Sequence, residues 1–426
     1  MSRSFENPEH TMYACAGARE GRPVEVAASA SGFRFDASAR FPRFIGAAED
    51  AAARVAALRV AVVGAGAIGG RIADHVARLG VTSLAIVDRG SFRESSVVTQ
   101  AIPPDAVGAP KASWTAERAR AVSPATLVTA FDGALEALSA DAFHDVDVVL
   151  LASDNLAAEV EAGRRCVRLG RRLIQGSVHG ESLTAEVRVF GAGEGGPCPA
   201  CAFTAEEWAQ LARGTRFACD PGIDWRDAAP VPGDDAVPTT SVSALCSLAA
   251  DLAVTQLIRG ELSLGRSTSD RVITYCGYTD EIRTAPLRRR PGCPADHRRV
   301  VRHEVASLAS RSLAELARHA EAIAPGVVST RGPAFAADDR RFVTRARCAC
   351  GAASEPMRFL ASGWARACDA CGGSLEVQPY FAHATAAHEV VAAVVDEPLA
   401  RLVDGVVTGV TVWGDEGGVW FREEVR

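Results

Sequence analysis

Residues 58–69 read Leu58-Arg59-Val60-Ala61-Val62-Val63-Gly64-Ala65-Gly66-Ala67-Ile68-Gly69. A short, nearly continuous apolar run leads straight into G-x-G-x-x-G. Such a run predicts a strand buried on both faces, as in a parallel sheet. The glycines permit a tight turn and a close backbone approach to phosphate. Residues 67–79 carry apolar side chains at helical spacing, so a helix follows whose free N–H groups and dipole face that phosphate. A second strand over 83–87 ends at Asp88, where a carboxylate can hold ribose hydroxyls. Gly64, Gly66, Gly69 and Asp88 therefore read as one nucleotide-binding βαβ unit. A glycine turn that serves packing alone is the plainer alternative, and the motif by itself does not separate NAD or FAD from ATP.

Working outward, the alternation continues. A helix is expected over 111–123, strands over 126–131 and 147–152, a glycine-closed helix over 156–170 and a strand over 172–178. This predicts an α/β fold with a Rossmann-like, doubly wound, largely parallel sheet. Past residue 180 the style changes. A strand over 184–190 looks antiparallel, 191–201 is a cysteine-bearing loop, and 241–260 is a long helix capped by Gly260. An Arg- and Pro-rich break covers 285–300, followed by a helix over 303–323 and a hairpin over 407–425. The expected organisation is an arm at 1–50, an α/β domain at 51–298, and a C-terminal region at 299–426 containing a metal ribbon at about 345–375.

With 426 residues, the chain exceeds a single small core. Its net charge of −6 argues against nucleic acid as a main partner, since phosphate backbones need a basic face. No apolar run reaches the roughly 18 residues of a membrane span. The N-terminus lacks a basic-then-apolar leader, so a cytoplasmic protein is expected. Disulfides are rare in that compartment, yet there are 12 cysteines. The close pairs Cys198/Cys201, Cys348/Cys350 and Cys368/Cys371 point instead to zinc. The last two pairs, each followed by glycine, form a ribbon-like set of four thiolates. Lys111 is the only lysine in the chain. Arginine was used wherever a generic cation would serve, so a compact ammonium is expected to matter at 111. A chance survivor of biased composition is the bland alternative.

On these residues the chain resembles the ThiF/MoeB family, which activates the C-termini of ubiquitin-like proteins, over roughly residues 40–295. Asp105 to Lys111 matches that family's D-x-x-G-x-x-K, which implies Lys111 against the nucleotide phosphates. The strand ending at Asp154-Asn155 resembles the family's, which implies Asp154 in support of Mg²⁺–ATP beside Asn155. Ser153-Asp154-Asn155 is equally good helix-capping material. Arg40 and Arg43 resemble paired arginines of which one, here Arg43, reaches a nucleotide across a dimer; a solvated pair is the alternative. The family's S-N-L-x-R run falls on Ser95 to Thr99, so Ser96 and Thr99 stand where Asn and Arg are expected. Arg71, Arg89 and Arg93 are candidates to replace the missing charge. Cys293 and His297 would complete a zinc site with Cys198 and Cys201, with Asp296 as the alternative fourth ligand. Cys219 lies near the place of a thioester- or persulfide-forming cysteine, and an inert loop thiol is the alternative.

The resemblance implies an ATP-dependent adenylyltransferase using ATP, Mg²⁺ and Zn²⁺. Its partner would be a small ubiquitin-like or sulfur-carrier protein ending in Gly-Gly, and the enzyme a homodimer. The attacking carboxylate is already ionised at neutral pH, so no general base is needed. The rivals are a dinucleotide-dependent oxidoreductase, an inactive partner-binding scaffold, and adenylation of a small molecule or peptide.

Overall fold

The structure is a computed structural model. It describes residue 44, residues 49–138, 142–213 except 154 and 194, and 241–326 except 268, 294 and 296. Beyond these it describes 333–337, 340–361, 366–377, 380–381, 384–385, 392–407, 409–415 and 417–423. The expectations on Arg40, Arg43, Asp154, Cys219 and Asp296 fall outside the described residues. The chain divides into two compact units at about residue 296.

In the first unit, α1 (Ala51–Ala56) leads into β1 (Arg59–Val63), α2 (Gly69–Arg78) and β2 (Ser83–Asp88). A short turn of helix, α3 (Ser96–Thr99), precedes α4 (Lys111–Val122), β3 (Leu127–Asp132) and β4 (Val148–Leu151). Then come α5 (Leu156–Leu169), β5 (Arg172–His179), β6 (Thr184–Phe190), α6 (Ala205–Arg213), α7 (Ser243–Leu262) and the hairpin β7 (Arg271–Cys276)–β8 (Glu281–Pro286). The sheet order is β3-β2-β1-β4-β5-β6-β7-β8. The first five strands are parallel, and β6 to β8 run antiparallel. The order reverses beside β1, and ligands of such sheets sit at that switch point.

Alternate residues of β1 explain the layers. Val60 and Val62 enter a core shared with Ile72 and Val76 of α2, Ala116 of α4 and Ala253 of α7. Ala61 and Val63 enter a second core with Phe131, Phe143 and Cys166 of α5. A strand apolar on both faces is thus sandwiched between helices. Gly170 closes α5 in the left-handed conformation, as its place in the sequence predicts. Gly260 does not close α7, which runs on to Leu262 and ends at Ser263, also left-handed. A Cβ on Gly260 would lie 2.7 Å from Arg172 Nη1. The glycine makes room for the ion pair of Arg172 with Glu261, at 2.7 Å, rather than for a cap.

The second unit opens with β9 (Arg299–Val305), and α8 (Leu313–Ile323) follows. The helix expected from 303 therefore begins ten residues later, at 313. Its start is set by a capping box in which Ser312 accepts from Glu315 N–H while Glu315 accepts from Ser312 N–H. That S-x-x-E signal lay in the sequence, and 303–305 belong to a strand instead. Further on lie β10 (Ala334–Ala337), β11 (Arg340–Val343), β12 (Ala346–Cys348), β13 (Ala353–Ser354), β14 (Arg358–Ala361), β15 (Leu375–Val377), β16 (Tyr380–Phe381) and β17 (Ala384–Thr385). A short α9 (Leu399–Leu402) precedes the hairpin β18 (Gly409–Trp413)–β19 (Gly417–Glu423). The main sheet here is β17-β10-β18-β19-β9, with β9 parallel to β19, over a core of Leu313, Leu316, Phe335, Val412 and Phe421. Small sheets β14-β11-β16 and β13-β12-β15 complete the unit, and the latter carries the ribbon cysteines. Among the described residues no helix is long and apolar enough to cross a membrane.

One buried ion pair holds α5. The Glu161 side chain, 2% exposed, accepts from Arg165 Nε at 2.6 Å, and Arg165 Nη2 donates to Leu138 O at 2.9 Å. Removing one partner strands the other charge. We expect Glu161→Ala to lower the unfolding free energy by about 3 kcal/mol in urea titrations; a loss under about 1 kcal/mol would mean that α5 does not depend on the pair.

Candidate nucleotide site and cysteine clusters

The glycine loop is built from the inside. Gly64 has φ +88°, and a Cβ there would meet Ala152 O at 2.6 Å. A Cβ on Gly69 would lie 1.7 Å from Gly64 O. These two glycines are required by the turn and by the end of β4. Gly66 is different: a Cβ there would meet nothing within 4 Å. Its missing side chain leaves open space at the start of α2, where free N–H groups favour an anion.

Asp88 ends β2 and fastens this loop. One carboxylate oxygen accepts from Ala65 N–H at 2.6 Å and the other from Gly90 N–H at 2.7 Å. Each oxygen keeps a further lone pair for a hydroxyl. The segment from Gly90 to Lys111 folds back on itself. Gly108 N–H donates to Phe92 O at 2.9 Å and Lys111 N–H to Gly90 O at 2.9 Å. Gly108 takes φ +92°, which accounts for the glycine of D-x-x-G-x-x-K. Lys111 therefore starts α4 beside Gly90. A Cβ on Gly90 would lie 3.2 Å from Asp88 Oδ1 and 3.7 Å from Lys111 Cε, so both side chains border the same notch. Lys111 Nζ stands 6.0 Å from the Phe92 ring centroid. No carboxylate among the described residues pairs with it. The structure thus brings Gly64, Gly66, Gly69, Asp88 and Lys111 together.

Asn155 caps α5: its Oδ1 accepts from Ala157 and Ala158 N–H at 2.9 and 3.1 Å. The capping reading of Ser153-Asp154-Asn155 holds for this residue, and its amide NH₂ remains as a donor. Ser96, in the place of a family asparagine, is 4% exposed and accepts from Arg93 N–H at 3.0 Å. It serves its own turn of helix rather than open space.

A cleft of about 220 Å³ opens beside the loop. Its floor is Ala65, Gly66 and Arg71; its walls include Phe92, Gln100, Trp114 and Thr115. Sequence reading missed Trp114, Thr115 and Gln100. Their only signal was Thr115 lying one helical turn beyond Lys111, on the same side of α4.

Two cysteine groups gather ligand atoms. Those of Cys198, Cys201, Cys293 and His297 all lie within 4.8 Å of one another, as do those of Cys348, Cys350, Cys368 and Cys371. Cys198 Sγ is 3.8 Å from Cys201 Sγ and 4.0 Å from Cys293 Sγ. In the ribbon, Cys348 and Cys371 stand 3.4 Å apart and Cys350 and Cys368 3.7 Å. Thiolates at about 2.3 Å around a tetrahedral zinc are roughly 3.8 Å apart, so both sets have the size and chemistry for that ion. Hydrogen bonding with Cys201 and Cys293, together with burial, pushes the Cys198 thiol far up, whereas the Ala352 N–H brings exposed Cys350 down to about 7. The first set is seated on α5, where Gly163 lets Pro199 approach; a Cβ there would meet Pro199 Cδ at 2.7 Å.

Proteins named as adenylyltransferases or activating enzymes match between about a third and over half of this chain. A sulfur carrier protein adenylyltransferase of Thermus thermophilus is 25% identical over 245 residues, covering 55% of this chain and 80% of that protein. A SAMP-activating enzyme E1 of Haloferax volcanii is 27% identical over 246 residues, 57% of this chain and 81% of the other. An adenylyltransferase and sulfurtransferase MOCS3 of Drosophila grimshawi is 32% identical over 146 residues, and the chain spans only 32% of that protein's length. The family model for ThiF matches residues 37–295, more than half of the chain, which therefore belongs to the ThiF family.

Proposed function

We propose that this chain is an adenylyltransferase that activates the C-terminal carboxylate of a small ubiquitin-like or sulfur-carrier protein with ATP. The observation that carries the reading is the placement of the chain's only lysine beside Asp88 at the mouth of a glycine loop with open space over Gly66. An oxidoreductase has no use for an unpaired ammonium there, whereas a triphosphate needs one. The named activities of the Thermus and Haloferax relatives support the same reaction class.

In this reading the free N–H groups of the loop and α2 hold phosphate oxygens, and Asp88 orients the ribose. Lys111 neutralises charge that builds as pyrophosphate departs. A client carboxylate oxygen attacks the α-phosphorus. The bond from that phosphorus to the bridging oxygen breaks, and pyrophosphate leaves with the electron pair, giving an acyl-adenylate. No proton need move, since the nucleophile arrives ionised. Asp154 is the proposed support of Mg²⁺, which when bound would supply charge neutralisation at the triphosphate, while Asn155, its Oδ1 taken by the α5 cap, would offer its NH₂ to the nucleotide. Arg43 is proposed to reach the site of a dimer partner, and the Cys219 thiolate to attack the acyl carbonyl, forming a thioester as the bond to the phosphate oxygen breaks and AMP leaves. Zinc is proposed in both cysteine groups as a structural ion, tying distant loops together in the first and the turns of one small sheet in the second. A Gly-Gly ending on the client, a homodimer and a cytoplasmic setting belong to the same proposal.

Calorimetric titration should show Mg²⁺–ATP binding and no NAD⁺ binding, with Lys111→Ala weakening ATP by at least tenfold, about 1.4 kcal/mol. Binding of NAD⁺ alone would replace this reading with an oxidoreductase. Pyrophosphate exchange that depends on an added Gly-Gly-ended protein would identify the client class. Metal analysis of the purified chain should give two zinc ions, one for each group. Cys198→Ser with Cys201→Ser should remove one, and Cys348→Ser with Cys371→Ser the other; well under one zinc in the parent would end the zinc assignment.

A further inference from the structure

The resemblance implies an arginine where this chain has Thr99, and a threonine cannot carry its charge. Of the three candidate replacements, Arg89 and Arg93 are exposed, and neither lines the cleft beside the glycine loop. Arg71 does, next to Gly66. It sits in the first turn of α2, and its Nη2 donates to Ser243 Oγ at 2.6 Å. Among the described residues its Nε is buried without a partner. Two more buried polar atoms without partners belong to walls of the same cleft, Gln100 Oε1 and Thr115 Oγ1. Thr115 itself is only 4% exposed.

Buried polar atoms without partners are uncommon, because each costs about 1–3 kcal/mol. Three on one cleft, beside a glycine with open space over it, mark a place built for a polar ligand. The charges around it favour an anion. Asp74 is paired with Arg78 at 2.8 Å, and His75 with Asp251 at 2.8 Å. Arg118 lies over the Trp114 ring at 5.0 Å and donates to Ala101 O at 3.2 Å. Among the described residues neither Arg71, held by the Ser243 hydroxyl, nor Arg118, held by a carbonyl and a ring, pairs with a carboxylate; of the two, Arg71 carries the buried Nε without a partner and follows Gly66 in the first turn of α2. Phe92 joins the cleft to Lys111, whose ammonium stands over its ring. The amide of Gln100 can present NH₂ or oxygen to the cleft, since the two ends are interchangeable by rotation.

We propose that Arg71 is the relocated arginine of this enzyme, binding the β- and γ-phosphates of ATP from the α2 side while Thr115 and Gln100 complete the pocket. The cation lost at position 99 is thus supplied from the first turn of the loop's own helix. This rests on the ATP reading above and names a residue that the family pattern does not.

The test separates the two. Mg²⁺–ATP and AMP are titrated against the parent and against Arg71→Ala, Lys111→Ala and Arg71→Ala with Thr99→Arg. Arg71→Ala should weaken ATP ten- to a hundredfold and leave AMP, which has no β- or γ-phosphate, within about twofold. Restoring an arginine at 99 should recover at least tenfold of that loss. Should Arg71→Ala melt well below the parent, Arg71→Gln keeps a side chain of similar reach without the charge, and the same ATP-to-AMP contrast is read. Unchanged ATP binding in Arg71→Ala and Arg71→Gln, with loss in Lys111→Ala, overturns the role of Arg71 and leaves the ATP reading standing. Equal losses of ATP and AMP also overturn it, since they mark a merely structural residue. No ATP binding by the parent overturns both.

Discussion

The contact between Gly69 and the carbonyl of Gly64 governs the first unit. No side chain fits at either position, so the chain leaves β1 and enters α2 in the tightest possible turn. That turn also rests against Ala152 at the end of β4. It therefore fixes where β1, α2 and β4 end relative to one another, at the point where the sheet order reverses. Asp88 closes the arrangement from β2 by holding Ala65 and Gly90. Three strands and two loops meet within one backbone-defined frame; Arg71 borders the cleft beside it and Lys111 stands at Gly90.

Much of this was legible in the sequence, for definite reasons. β1 to β5 and their helices followed from apolar periodicity, because strands buried on two faces tolerate few polar residues. The glycine loop, Asp88 and Lys111 were readable because each is forced by backbone geometry or by the scarcity of its residue type. The gathering of the four ribbon cysteines was readable because their pairs are closely spaced in the sequence. What escaped was tertiary. Gly260 looked like a cap, yet it serves Arg172 arriving from a distant strand. Residues 303–305 looked helical, yet β9 is held in place by pairing with β19, more than a hundred residues later. The walls of the cleft were hidden because Thr115 and Gln100 matter only through the side that faces open space.

The cysteines show a similar division between local and distant constraint. In the ribbon, Gly351 and Gly372 take left-handed conformations right after the cysteine pairs, so each half of the group is made by a turn of a few residues. Cys198 and Cys201 have such a knuckle too, in a short helical turn that starts at Pro199. Their companions come from almost a hundred residues away. The first group therefore links distant parts of the chain, while the ribbon organises a small sheet whose own core is little more than Ala346, Cys348, Cys368 and Leu375.

The single lysine has a further consequence. An acyl-adenylate is an electrophile, and the commonest protein nucleophile toward it is an unprotonated lysine amine. A chain whose other 45 basic residues are arginine offers such a product almost no side-chain amine to react with. Lys111, held as an ammonium against phosphate, would be a poor nucleophile at the moment of activation. Near absence of lysine would then act as chemical insulation: an enzyme that makes a mixed anhydride would be spared from forming amides on its own surface.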